Sequence, residues 1–332
     1  MNTSESSDAR LELVTRPHLA IHVTQEDAQV HRIGGLELLR LVSVIGVVWF
    51  HTHAPGWSIA YAGLPALLIM SLALQCLHGR ERRLAEVALR RAKRLLVPWL
   101  FWSMIYGAVA LRAVFHQHGR LADSFSVNML IMGPAVHLWF LPFAFLATLL
   151  VYLLAKCSRT WSLSQVMLVG ATMLVLLVLA RHSFRWLCPN TSLLEPIPQW
   201  QFGMFSLPLG WVIGHVVAQS CRDVHGRYLL AATCAIVLVL LPFAAWLSPH
   251  DGIAYAIAVP LVCGAFLWTR PLWSPLQTLT SASFGVYLLH PLVSMALYPW
   301  IGPTGLMRPV AVLAVSFLLT CLLRFLPVKN LL

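Results

Sequence analysis

Apolar runs of about twenty residues recur along the whole chain, and they leave few folds open. A helix needs about 20 predominantly apolar residues to cross a bilayer. Ten stretches qualify: 36–53, 58–77, 95–114, 136–155, 163–180, 201–219, 228–247, 253–269, 279–298 and 306–326. None shows the alternation of a strand, and in lipid every backbone N–H and C=O must be paired within its own segment. Soluble domains carry about 25% charged residues, whereas this 332-residue chain is 11% charged and 59% hydrophobic. The pattern predicts an all-α, polytopic membrane protein with about ten transmembrane helices. Residues 1–31 are polar and mixed in charge, and read as a tail without a cleavable leader. Residues 32–332 read as one membrane domain, because the polar stretches between spans leave no room for a soluble one.

Positive charge then sets the orientation, since Lys and Arg collect on the cytoplasmic side. Ten spans with both termini cytoplasmic put 17 Lys and Arg inside and 5 outside. The net charge of +11 follows this topology, so anionic membrane lipid is an expected partner and nucleic acid is not. The seven cysteines are scattered singly, with no CxxC and no Cys/His cluster, so no metal is expected.

The first span, Glu37-Leu-Leu-Arg40 through Trp49-Phe50-His51, carries an acid and a base at one end and histidine at the other. Glu37 lies three residues before Arg40, close enough to pair with it on a helix. Arg40 and His51 are eleven apart, so they share a face about 16 Å apart along the axis. Ionisable groups inside a membrane are expensive and usually functional. The plainer reading is an interfacial anchor at a helix end. The functional reading requires that this face look into a protein-lined passage.

Other polar groups fall at chosen places. Residues 79–98 form the only dense charge run, which reads as a basic surface helix. It is either an anionic-lipid anchor or a phosphate-binding patch built on clustered Arg. His137-Leu-Trp139 sits at the start of the fourth span, where aromatic belts also occur. Ser283, Tyr287 and His290 share one face of the ninth, and helix packing by small residues would explain them equally. The loop 181–200, with Trp186, Glu195 and Trp200, is a candidate wall of an outer vestibule.

Together these pieces resemble the acyltransferase-3 family, the bacterial integral-membrane O-acyltransferases of sugars and glycans. Glu37, Arg40 and His51 match its opening pattern. Pro65 and Ser71 keep part of its second-span motif, whose aromatics and Gly are lost. Arg91-Ala-Lys-Arg94-Leu-Leu-Val-Pro98 closes its Arg-rich loop. His137-Leu-Trp139-Phe-Leu141 is intact, and Ser283, Tyr287, Leu288 and His290 match its last motif. The match covers about residues 32–326, in the family's order.

The resemblance implies acyl transfer, most often of acetyl, from cytosolic acetyl-CoA to a sugar hydroxyl. The expected acceptor is a surface glycan or a lipid-linked exopolysaccharide intermediate in the bacterial inner membrane. His51 would be the general base, with Arg40 and Glu37 at the inner gate. Arg40, Arg91 and Arg94 would bind the donor. His137, Trp139, Ser283, Tyr287 and His290 would bind substrate, with Trp139 as a sugar-stacking platform. A homodimer stays open. The rival class is a transporter of a sugar or lipid-linked saccharide. Proton-coupled transporters usually carry acids in mid-membrane, and here only Glu37 comes near a span.

Overall fold

A computed structural model describes residues 34–78, 83–116, 129–187, 197–220, isolated positions of 227–238, and 249–325 except 269, 303 and 304. Every regular element among them is helical. In order these are α1 (Gly34–His51), α2 (Trp57–Ala60), α3 (Gly63–His78), α4 (Leu84–His116) and α5 (Met129–Met132). A 3-10 turn (Val136–Trp139) leads into α6 (Phe140–Cys157), followed by α7 (Leu163–Leu187), α8 (Ile197–Met204) and α9 (Ser206–Ser220). The last are α10 (Pro249–Leu267), α11 (Ser274–Ile301) and α12 (Met307–Leu323). Eight helical stretches are long and apolar enough to cross a membrane, and α12 is a shorter apolar helix. The expected span 228–247 lies mostly outside the described residues.

Two expectations change in detail. The basic run and the third span are one continuous helix, α4, of 33 residues with Pro98 inside it. At 1.5 Å per residue it extends about 50 Å, longer than the roughly 30 Å hydrocarbon layer. Its arginine-rich turns therefore stand at or beyond the edge of the apolar layer while the same helix carries on through it. The second span is broken into α2 and α3 around Tyr61–Ala62.

Helix α3 is the hub, packing against α1, α6, α9 and α10. Its contact with α9 depends on Gly210 and Gly214, a Gly-x-x-x-Gly pair. A Cβ on Gly210 would sit 2.5 Å from Leu72 Cβ, and one on Gly214 would sit 2.5 Å from Cys76 Cβ. Apolar surface gains little by leaving lipid, so close backbone approach supplies the packing energy instead. Next to this seam the buried His215 lies 3.1 Å from Ser158 Oγ and 3.3 Å from Cys76 Sγ, linking α9 to α3 and to the end of α6. Helix α1 is fixed the same way. A Cβ on Gly63 would strike the Ser43 carbonyl, and one on Gly35 would strike that of Ala265. The Gly35 N–H donates to the Trp268 carbonyl at 3.1 Å, anchoring the first turn of α1 to the end of α10.

Gly214→Val should lower stability by about 1–3 kcal/mol through overpacking at α3. Gly264→Ala, whose new Cβ meets nothing within 4 Å, should be neutral or slightly stabilising. Thermal unfolding of the purified protein in detergent checks both, and equal midpoints for the two variants would contradict the packing argument.

Candidate functional site

One end of α1 builds a guanidinium cluster. Glu37, in the first turn, is 8% exposed and accepts from Arg40 Nη1 at 3.1 and 3.2 Å on its two oxygens. On α4, Arg91 Nη2 donates to Gln75 Oε1 of α3 at 3.1 Å. Arg94 follows one turn later. Arg40, Arg91 and Arg94 line one cavity of about 390 Å³ together with Ser71, Phe140, Thr280, Ser281, Ser283 and Tyr287. Arg324 donates from Nη1 to Ser281 Oγ at 2.7 Å, so a fourth guanidinium backs the same wall. Three cations around one cavity, with a single carboxylate paired to them, make a site for an anion.

The other end of α1 builds a histidine cluster. His51 is the last helical residue. Beyond it Thr52 Oγ1 donates to the Val48 and Trp49 carbonyls at 3.0 Å each, and His53 turns to a left-handed φ of 51°. The His51 ring lies 5.3 Å from His290, and His290 lies 5.5 Å from His137. His51 stands between two cavities. One, of about 280 Å³, is lined by Phe50, Tyr61, Trp139 and Gln199. The other, of about 340 Å³, is lined by Tyr106, Ala110, His137, His290 and Met295, among others.

The tautomer of His290 follows from its neighbour. Pro291 has no N–H, so the Tyr287 carbonyl four residues back loses its helical donor. His290 Nδ1 lies 2.8 Å from that carbonyl. A carbonyl oxygen only accepts, so Nδ1 carries a proton, and in the neutral ring Nε2 is the acceptor. His290 is fully buried, and its Nε2 has no hydrogen-bond partner among the described residues.

Tyr287 separates the two ends. It lines the arginine cavity, and its hydroxyl donates to the main-chain carbonyl of His137 in a short hydrogen bond. Its ring packs against Phe140 at 5.4 Å and His137 at 5.8 Å. None of the three cavities is lined by both Arg40 and His51. The face they share does look into protein-lined space. None of these three cavities runs the length of that face, and Tyr287, which lines the arginine cavity and bonds the His137 carbonyl, stands between the two clusters.

The sequence-read residues divide accordingly. Glu37, Arg40, Arg91, Arg94, Ser283 and Tyr287 belong to the arginine end, while His51, His137, Trp139 and His290 gather at the other. Ser283, expected beside the acceptor, thus lies with the guanidiniums. Trp139 is 4% exposed and meets Phe143 edge-on at 5.5 Å. It forms part of the wall of the cavity beside His51. Sequence reasoning missed Gln75, Tyr61 and Gln199. Gln75 had a signal, being a lone amide in an apolar span. Tyr61 sits between Phe50 at 4.5 Å and Phe202 at 4.8 Å, a stack that no local spacing announces.

The acyltransferase domain of the acyltransferase-3 family matches residues 33–325. The chain belongs to that family. Comparison with curated proteins and with solved structures gives no significant match. The protein is therefore a multi-pass membrane acyltransferase, and both clusters lie inside its acyltransferase domain.

Pro291→Ala would restore an N–H to the Tyr287 carbonyl and compete with His290 Nδ1. Acyl transfer should fall by about tenfold or more through loss of the fixed tautomer, with the apparent donor KM unchanged. Steady-state kinetics on the folded variant check this, and an unaltered kcat would show that the tautomer lock does not matter.

Proposed function

We propose that this acyltransferase moves an acetyl, or a similar small acyl group, from a cytosolic acyl-coenzyme A to a hydroxyl of a surface glycan or lipid-linked exopolysaccharide intermediate. The observation that carries the reading is that one helix, α1, delivers Arg40 to a guanidinium-lined cavity and His51 to a histidine cluster. The arginine cavity faces the cytosol of a bacterium and the histidine end faces the outer side of its inner membrane. The donor is polyanionic at one end and carries its thioester on a long flexible arm. Arg91 and Arg94 hold its phosphates by charge-assisted contacts. Arg40, oriented by Glu37, holds the head of the arm. Eleven residues of helix separate Arg40 from His51, about 16 Å, which a pantetheine arm spans once the Tyr287 ring moves aside.

At the histidine end the acceptor hydroxyl is a poor nucleophile and needs a base as it attacks. His51 takes its proton while the oxygen bonds to the thioester carbonyl carbon. The tetrahedral intermediate then collapses, the C–S bond breaks, and the thiolate leaves and takes up a proton. Such base assistance is typically worth about 10²–10⁴ in rate. The cavity lined by Phe50, Tyr61, Trp139 and Gln199 offers the aromatic and amide groups that a sugar ring uses, so the acceptor is assigned there.

His51→Ala, shown to be folded, should lose about 10²-fold or more of transfer from labelled acetyl-coenzyme A to extracted glycan. Activity within a few fold of the parent would remove the base assignment. Arg40→Ala should weaken donor binding, and unchanged affinity would take Arg40 out of the donor site.

A further inference from the structure

We infer that the cleft between α4 and α11, opening beside His51, receives the hydrocarbon chain of the transferred acyl group, so that the enzyme accepts chains longer than acetyl. This rests on the donor reading above and names the acyl class that the reading leaves open. The cleft walls are Val109, Ala110 and Ala113 of α4 against Pro291 and Met295 of α11. No Lys, Arg, Asp or Glu lines it. Arg308 reaches its Ser294 edge, where Nη2 donates to Ser294 Oγ at 3.0 Å, while the alanine and proline walls suit an uncharged apolar body.

The end of the cleft is different. His137 and His290 are 3% and 0% exposed, and the Nε2 of each lacks a hydrogen-bond partner. Buried polar atoms left unpaired cost stability, and their presence points to a ligand that satisfies them. An acyl carbonyl brings an acceptor to this end of the cleft, while the attacking hydroxyl donates to His51. The chain behind the carbonyl then lies along the alanine wall. The volume is about 340 Å³. A two-carbon acyl group fills a small part of it. The small side chains Ala110 and Ala113 keep it open, and Met295, 58% exposed and with a flexible thioether, forms an adaptable wall on its open side.

The bond changes are those of the parent reaction. The acceptor oxygen bonds to the acyl carbon, the C–S bond of the thioester breaks, and the hydroxyl proton passes by way of imidazole to the departing thiolate. Only the length of the chain on the carbonyl differs.

The test uses the full chain in lipid nanodiscs with extracted glycan and a series of acyl-coenzyme A donors from acetyl to octanoyl. The parent should transfer hexanoyl at a rate within about tenfold of acetyl, the scale of discrimination that a few methylenes carry. Ala110→Phe should lower the hexanoyl-to-acetyl rate ratio by about tenfold or more, and Met295→Ala should raise the octanoyl-to-acetyl ratio. A general folding defect would slow every donor alike and leave the ratios fixed, so ratios unmoved in both variants overturn the assignment. Transfer of acetyl alone by the parent overturns it while leaving the donor reading intact. No transfer from any member of the series overturns both.

Discussion

The hydroxyl of Tyr287 donates to the main-chain carbonyl of His137, and the two halves of the site are arranged on either side of that bond. Tyr287 comes from the middle of α11 and His137 from the 3-10 turn that enters α6. A second long-range contact runs parallel to it, where Tyr106 of α4 donates to the Leu288 carbonyl at 2.7 Å. Together these bonds join α4, α6 and α11 around a narrow aromatic waist. Guanidiniums collect at one mouth and imidazoles at the other.

The waist stands on a frame built from small residues. In lipid, burial of apolar side chains gives little net driving force, so helices are held by close contact and by hydrogen bonds. Gly210 and Gly214 let α9 meet α3, while Gly35 and Gly63 seat α1 against α10 and α3. Because α1 is seated at its first turn and at its middle, and Arg40 and His51 ride on the same helix, the separation between the two mouths is set by helix geometry. The prolines serve a different purpose. Pro291 frees one carbonyl in mid-helix, and His290 takes it. A break in helical bonding thereby becomes the device that orders an imidazole.

Much of this was legible in the sequence, and the residues show where legibility stops. The ion pair of Glu37 with Arg40, and the placement of Arg40 and His51 at opposite ends of one face, follow from 3.6-residue periodicity. The hydrophobic runs located nearly every helix, because twenty apolar residues have one stable answer in lipid. What periodicity cannot give is which faces meet. Tyr287 and His137 are 150 residues apart, and their bond depends on how α11 and α6 cross. For that reason Ser283 was grouped with His290 by spacing, although Ser283 lines the arginine cavity and His290 the other. The basic run 79–98 and the third span 95–114 overlap in the sequence, and the structure carries both on α4 with Pro98 inside it.

The most direct test of the two-mouthed site is a structure of the protein with a non-hydrolysable acyl-coenzyme A analogue. The phosphates are expected beside Arg91 and Arg94, the arm along α1, and the acyl carbonyl among His51, His137 and His290, with the Tyr287 hydroxyl no longer on the His137 carbonyl. An analogue bound away from the arginine cavity would contradict the assignment of the two mouths. So would an acyl group at His51 that arrived with the Tyr287–His137 bond intact.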